Sequence, residues 1–574
     1  MKREEIVSAV RSQPEVDVLV VGGGINGIGT FRDLALQGVS VLLVDKADFC
    51  SGASAASSRM AHGGIRYLEN GEFRLVRESL AERNRLLKNA PHAVFPLLFT
   101  IPVYGWWSGI LNAPLKFLGL LKRPSERGVV VIKLGMTLYD WFTRANRMTG
   151  THALLSRQDA LQKHSHLNPN IVMAATYYDA LMPQAERIGL EIVLDAEAES
   201  PQAHALNYVT VTGADGESVQ LQDQVSDQTF AVRPKVVVNA SGAWIDFVNS
   251  AMHRPTRFIG GTKGSHIVVD HPALLNTLNG SAIFFENKDG RMCIFAPFED
   301  KVIIGATDIR IENPDEAVCT DEEIDYFLGF TEHVLPGLKV DRSHIVYHFC
   351  GVRPLPSTDV DFAGLISRDH SIQVSEPNEV TRFPIYSLVG GKWTTFRAFA
   401  EQTTDRVLVF LGRARRGGTA DLPIGGGEAY PQSDDQRQAW IETAAADTSL
   451  PTERVTTLFE RYGTRAAEVA RYTASGADRP LASAPMYSER EIMFLAEHEK
   501  VVHLEDVIVR RSILGLLGQV NGDVLQQTAA ALGGVLGWTP EQVEAEIGQT
   551  SALLQQWHGV PAERLQLRAP DAHA

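Results

Sequence analysis

The chain has 574 residues, 44% hydrophobic and 21% charged, with a formal net charge of −15. It is too long for one core, so two or three globular domains are expected. The acidic balance argues against nucleic acid as a partner, and four scattered cysteines with no C-x-x-C pair supply neither a disulfide framework nor a zinc site.

Residues 1–16 read as a short extension. Val18 to Val21 is an apolar run rich in β-branched residues and predicts a buried strand. Gly22, Gly24 and Gly27 then give G-x-G-x-x-G, with Gly23 and Asn26 in the same turn. Ile25, Ile28, Phe31 and Leu34 recur at helical spacing, and Val41 to Val44 is a second strand ending at Asp45. The unit has the length of a strand–helix–strand dinucleotide fingerprint, about 30 residues. Gly22 permits the turn, Gly24 clears the approach of a pyrophosphate, and Gly27 allows close helix packing. Free N–H groups and the helix dipole attract the pyrophosphate. Asp45 can accept hydrogen bonds from ribose hydroxyls. The fingerprint does not by itself separate FAD from NAD. It is also the first apolar run, so no signal peptide is expected, and a reducing cytoplasm fits.

Ser51 to Ser58 is rich in small residues, which suits backbone packed on a ligand, though a flexible linker has the same composition. His62-Gly-Gly-Ile-Arg-Tyr67 and a charged helical run from Glu72 to Lys88 follow. These blocks closely resemble the FAD-dependent, respiratory-type glycerol-3-phosphate dehydrogenases: Gly22-Gly-Gly-Ile-Asn-Gly27, Ser54-Ala-Ala-Ser-Ser-Arg59, His62-Gly-Gly-Ile-Arg-Tyr-Leu-Glu69 and Glu72-Phe-Arg-Leu-Val-Arg-Glu-Ser-Leu80. Further on, Lys263-Gly-Ser-His-Ile-Val-Val269, Ile303-Ile-Gly-Ala-Thr-Asp308, Gly351-Val-Arg-Pro354 and Gly390-Gly-Lys-Trp-Thr-Thr-Phe-Arg397 match the same family in order. The resemblance runs from about residue 16 to about 550.

From Asn89 to Leu115 there is no Asp, Glu, Lys or Arg, but four prolines argue against one spanning helix. Trp106 to Arg123 combines Trp, bulky apolar residues and terminal basic residues, a composition suited to the membrane interface. The family's use of membrane quinones gives that contact a reason. An internal or oligomer-contact segment is the alternative. At Met182-Pro183-Gln184 the chain departs from the family's paired acids, while Arg187 is kept. Leu206 to Val211 predicts a strand that brings Val211 against the adenine. Val236 to Gly242 predicts a strand whose end, with Ala240 and Gly242, approaches the cofactor.

Short strand-like runs dominate from 256 to about 370 and predict an antiparallel sheet with the substrate pocket. Pro384 to Arg397 returns to the cofactor domain, and Gly390-Gly391 offers N–H groups to charge developing on the flavin. Residues 411–435 read as a linker. Beyond it the chain reads as helical, with a capping box at Thr539-Pro-Glu-Gln542 and scaffolding as its expected role. The expected fold is α/β: a Rossmann-like FAD domain (1–90, 150–255 and 380–410), an apolar segment (91–149), an antiparallel-sheet substrate domain (256–379) and a helical C-terminal domain (436–574).

The resemblance implies oxidation of sn-glycerol 3-phosphate to dihydroxyacetone phosphate, with hydride to flavin N5 and electrons on to a membrane quinone. It implies an enzyme peripheral on the inner face of the cell membrane, and a homodimer is left open. Arg66, Tyr67, Arg353 and Lys392 match the family's substrate positions. Arg suits bidentate phosphate contact. His266 is the general-base candidate, with Arg353 and Arg66 as catalytic cations and Thr307 and Asp308 behind them. Ser57, Ser58, His62, Gly63, Gly64, Gly391, Lys392 and Thr394 join the fingerprint as cofactor contacts. No metal is implied. Three other readings stay open: transfer of the electrons to oxygen, an amine or amino-acid oxidase on the same fold, and a flavin-bound sensor without catalysis.

Overall fold

The computed structural model describes residues 3–108, 128–144, 146–358 and 368–567, apart from the side chains of residues 66, 69 and 70. Strand Glu15–Val21 lies at the centre of the first sheet. It pairs in parallel with Val41–Val44 on one side and Gln228–Asn239 on the other. Ala203–Leu206 and Ile385–Val389 extend the parallel sheet outward, and Ser371–Ser375 closes one edge in the antiparallel sense. Val18 and Val20 enter the core under the helices, whereas Leu19 and Val21 enter the core on the opposite face. A strand covered on both sides must be apolar at every position, which is why Val18 to Val21 shows no alternation. Helix Ile25–Leu36 packs between helices Ala185–Glu199 and Phe396–Leu411.

Among the described residues the second sheet has ten strands. Along its path run Ile309–Arg310, Thr262–Val269, Lys301–Gly305, Met292–Phe298, Ser281–Glu286, Phe95–Val103, Met173–Leu181 and Met60–Ala61. Ile345–Arg353 also pairs with Thr262–Val269, and Ala153–Ser156 with Met173–Leu181. All pairings but one are antiparallel; Ser281–Glu286 runs parallel to Phe95–Val103. Helices Pro272–Leu278 and Asp321–Val334 cover one face.

The expected boundaries do not follow sheet membership. Phe95–Val103 falls in the supposed apolar segment 91–149, and Met173–Leu181 in the supposed cofactor segment 150–255, yet both belong to the second sheet and pair with each other along their whole length. Two prolines in Phe95–Val103 are tolerated because the parallel partner spans only Leu98 to Thr100, leaving Pro96 and Pro102 outside that pairing. Of the interfacial segment, 109–123 lies outside the described residues. Among the described residues no helix is long and apolar enough to cross a membrane.

The stretch 411–435 is fastened rather than loose. Arg415 forms an ion pair with buried Asp33, and the Gly425 N–H donates to Asp195 Oδ2 at 3.0 Å. The C-terminal part is helical, and its last long helix, Pro540–His558, opens on the expected capping box. Three buried arginines dock it: Arg187 pairs with Glu499, and Arg510 and Arg511, on the π-helical turn Asp506–Arg511, pair with Asp48.

Candidate functional site

A cavity of about 1180 Å³ runs between the two sheets, larger than the roughly 300–1,000 Å³ of ordinary small-ligand sites. Its floor at one end is the fingerprint. Gly22 has φ +108°, and a Cβ there would lie 2.6 Å from the Ala240 carbonyl. A Cβ on Gly27 would lie 1.9 Å from the Gly22 carbonyl oxygen, so the helix rests directly on the turn. Gly24 gives helix Ile25–Leu36 no cap of its own; Ser54 Oγ accepts from the Ile25 N–H at 2.9 Å, and the remaining N–H groups of the first turn suit an anion. Asn26 Oδ1 is buried there without a partner.

Asp45 accepts from the N–H of Gly23 at 2.5 Å and of Ala47 at 2.8 Å. Burial pushes its carboxyl up to about 6 against those two bonds. Val211, Ala240 and Gly242 line the same end. Among the described residues Gly23, Gly27 and Gly63 do not line the cavity; they act from behind. The Gly23 N–H holds Asp45, Gly27 admits the helix, and the Gly63 N–H donates to Tyr139 and Asp179. A helix start whose N-cap is a glycine, a glycine turn closely packed on Ala240 and a cavity of this size fit a dinucleotide.

The far end is a chamber of cations and neutral rings. His266 sits on Thr262–Val269 opposite Phe349 and Gly305. Strand alternation puts His266 on the cavity side and the Lys263 side chain on the other, where it donates to Glu323, while the Ser265 backbone N–H donates to Thr307 Oγ1. The His266 ring stacks on Phe349 at 4.9 Å, with Nε2 2.8 Å from Ser58 Oγ. Burial, with the Arg353 and Arg59 charges, drives its pKa down to about 3, so the imidazole is neutral. His62 is driven down to about 3 by burial and by Lys392 and Arg368. The His62 N–H donates to Thr394 Oγ1 at 3.0 Å.

Lys392 follows Gly390 and Gly391, whose φ values are +78° and +88°. Its Nζ lies 4.6 Å from the Tyr67 ring centre and is buried without a hydrogen-bond partner. Burial lowers it to about 7, although Asp179 and Glu78 pull the other way. Arg353 ends strand Ile345–Arg353 and lies 3.4 Å from Asp308; Arg368 approaches the same carboxylate at 3.1 Å. Burial pushes Asp308 up, but the two guanidiniums outweigh it and hold it below the usual carboxylate range. Thr307 lies behind, donating to Glu323 at 2.5 Å. Gly64, Ser57 and Ser58 are also in the wall. The Arg66 side chain lies outside the described residues.

Three features escaped sequence reasoning. Arg368 stands in no motif. Asp179 lines the chamber although it appeared only as part of Tyr177-Tyr-Asp-Ala180. The helical C-terminal part contributes Arg510, Trp557 and His558 to the wall, beyond scaffolding. The departure at Met182-Pro183-Gln184 lies beside a structural pair: Arg59 donates to the Pro183 carbonyl and is clamped by Glu186. Arg187 points to Glu499, so it serves docking.

Residues 17–406 match the family described as FAD dependent oxidoreductase, and residues 418–543 that described as C-terminal domain of alpha-glycerophosphate oxidase. A glycerol-3-phosphate dehydrogenase of Synechocystis sp. is 36% identical, over 95% of this chain and 98% of that protein. The D-erythritol 1-phosphate dehydrogenase of Brucella abortus is 31% identical, over 87% and 95%. The aerobic glycerol-3-phosphate dehydrogenase of Escherichia coli is 30% identical, over 87% and 94%. A crystal structure of the glycerol-3-phosphate dehydrogenase from Bacillus halodurans complexed with FAD superposes with TM-score 0.73 at 23% identity, covering 99% of both chains.

Proposed function

The chain belongs to the FAD-dependent glycerol-3-phosphate dehydrogenase family, and on that premise we propose that it oxidises sn-glycerol 3-phosphate to dihydroxyacetone phosphate and passes the electrons to a membrane quinone. The observation that carries the reading is the unpartnered Lys392 ammonium in one chamber with Arg353 and Arg368. A buried cation without a hydrogen-bond partner is costly, and an oxygen of a polyol phosphate would satisfy it.

Bound FAD supplies the hydride acceptor. Arg353 and Arg368 bind the phosphate, each able to present a planar pair of donors, and Asp308 keeps the two guanidiniums together. Lys392 and Tyr67 close the chamber beside His62. The proton of the reacting hydroxyl passes to His266 Nε2 by way of the Ser58 hydroxyl, which donates its own proton to that nitrogen 2.8 Å away as it takes up the substrate's, and Phe349 fixes the plane of the ring. The substrate's negative charge raises the basicity of this neutral imidazole. Arg66, in the turn beside Tyr67, completes the cationic set in this reading.

For the membrane, Trp106 and Trp107 are 50% and 73% exposed. Helix Val129–Thr143 sends Leu134 and Trp141 outward, with the Arg144 guanidinium over the Trp141 ring. Aromatic and basic groups on one exposed surface suit a lipid interface.

The test is anaerobic addition of glycerol 3-phosphate to the FAD-loaded enzyme, followed by rapid mixing with a quinone or with oxygen. The expected result is bleaching of the flavin band and fast reoxidation by quinone. Fast peroxide formation with no quinone reaction replaces the dehydrogenase reading with an oxidase. No bleaching removes the substrate assignment.

A further inference from the structure

Under the turn that carries His62 and Tyr67, a buried carboxylate meets the cavity with one oxygen committed and the other open. Asp179, on strand Met173–Leu181, is 1% exposed and lines the cavity. Three donors converge on its Oδ1: the Gly63 N–H at 3.0 Å, the Tyr139 hydroxyl at 2.6 Å and Arg83 Nη1 at 2.9 Å. Among the described residues none donates to Oδ2. Burial outweighs Arg83 and leaves this carboxyl above the usual carboxylate range. An acceptor oxygen left without a donor inside a protein loses its hydration for nothing unless a ligand or water supplies the bond. Oδ1 is held by rigid partners, so Oδ2 is presented in a fixed place.

Charge sets what can occupy that place. Arg353 and Arg368 flank a different carboxylate, Asp308, and neither pairs with Asp179. Lys392, by contrast, has Asp179 as its foremost carboxylate neighbour, so a phosphate held by Arg353 and Arg368 leaves the substrate's other end to the Lys392–Asp179 side of the chamber. In glycerol 3-phosphate that end is the terminal hydroxyl, a hydrogen-bond donor.

We propose that Asp179 Oδ2 accepts the hydrogen bond of the substrate's terminal hydroxyl and so selects polyol phosphates over their deoxy analogues. The proposal rests on the phosphorylated-alcohol reading above and adds the residue that recognises the far hydroxyl.

The experiment compares glycerol 3-phosphate with propane-1,2-diol 1-phosphate, which keeps the reacting alcohol and the phosphate but lacks the terminal hydroxyl. In the holoenzyme, kcat/KM for glycerol 3-phosphate should be roughly 10- to 100-fold higher, as expected for a hydrogen bond to a charged group. Dissociation constants from perturbation of the flavin spectrum should differ in the same direction. Asp179→Asn turns the open acceptor into a donor, and the preference should fall to within about threefold while flavin content is retained; Tm should fall, because Arg83 loses its buried charge partner. Tyr139→Phe removes only an Oδ1 donor and should leave the preference intact. A preference near one in the wild type overturns the proposal without any variant. So does an Asp179→Asn enzyme that loses activity equally toward both substrates. If neither compound bleaches the wild-type flavin, the substrate reading fails instead.

Discussion

Arg187 and Glu499 stand 312 residues apart in sequence and meet in a bidentate ion pair at 2.8 and 2.9 Å, both side chains wholly buried. The contact ties the helical C-terminal part to helix Ala185–Glu199 beneath the cofactor sheet. Removing one partner leaves the other charged and dry. Glu499→Ala should cost roughly 3–5 kcal/mol, read as a fall in the thermal midpoint. An unchanged midpoint would show that the C-terminal part docks by its apolar contacts alone.

A second docking contact has a pH signature. Burial pushes the Asp48 carboxyl up, but Arg511 and Arg510 outweigh it and hold it at about 2. The folded value lies below the unfolded one, about 3.9. Its stabilising contribution is therefore complete above about pH 4 and is lost as pH falls toward 2, on the order of 2 kcal/mol. Asp48→Asn should flatten that part of the stability profile. The same slope in wild type and variant would assign the acid loss to other carboxylates.

Gly264 and Arg353 give a test of the phosphate end that spares the fold. A Cβ on Gly264 would lie 2.2 Å from Arg353 Nη2, the far end of a flexible side chain. Gly264→Ala should displace the guanidinium, raise KM about tenfold or more, and leave Tm nearly unchanged. Arg353→Ala should lose roughly 2–4 kcal/mol in kcat/KM. Near-normal kinetics in both variants would remove Arg353 from the site.

The parts legible in the sequence are those whose chemistry is local. The turn from Val21 to Gly27 announces itself because spacing, strand and helix lie within one stretch, and the structure keeps it intact. His266 and Arg353 are brought together by the register of Thr262–Val269 on Ile345–Arg353, a long-range pairing visible only through the family's motifs. Arg368 carries no local signal at all. Arg510 reads as part of an ordinary helical scaffold, since its pairing with Asp48 spans 462 positions. Phe95–Val103 was obscured by its prolines, which look like strand breakers until the short parallel partner is seen.

Gly27 tests the cofactor end. Its Cβ would strike the Gly22 carbonyl oxygen, backbone against backbone, with no side chain able to yield. Gly27→Ala should move the helix start away from the turn and sharply lower the flavin-to-protein ratio after purification. Full FAD content in the variant would mean that the helix start does not hold the pyrophosphate.

Lys392 couples function to stability with opposite signs. Burial lowers its amine to about 7, against about 10.4 for an unhindered lysine. In the free enzyme it is an ammonium below about pH 7 and neutral above. The pH profile of kcat/KM, which reports the free enzyme, should therefore fall on the alkaline side of 7, and Lys392→Arg should carry that limb out of range because a guanidinium stays charged. The stability effect runs the other way. A depressed folded value means that folding is penalised wherever the unfolded lysine is charged: the cost is complete below about pH 7 and fades as pH rises toward 10. Lys392→Met should raise Tm at pH 6, by an amount that shrinks toward pH 10, while abolishing tight binding of glycerol 3-phosphate. A Tm gain that does not change between these pH values would trace to packing rather than to the buried charge.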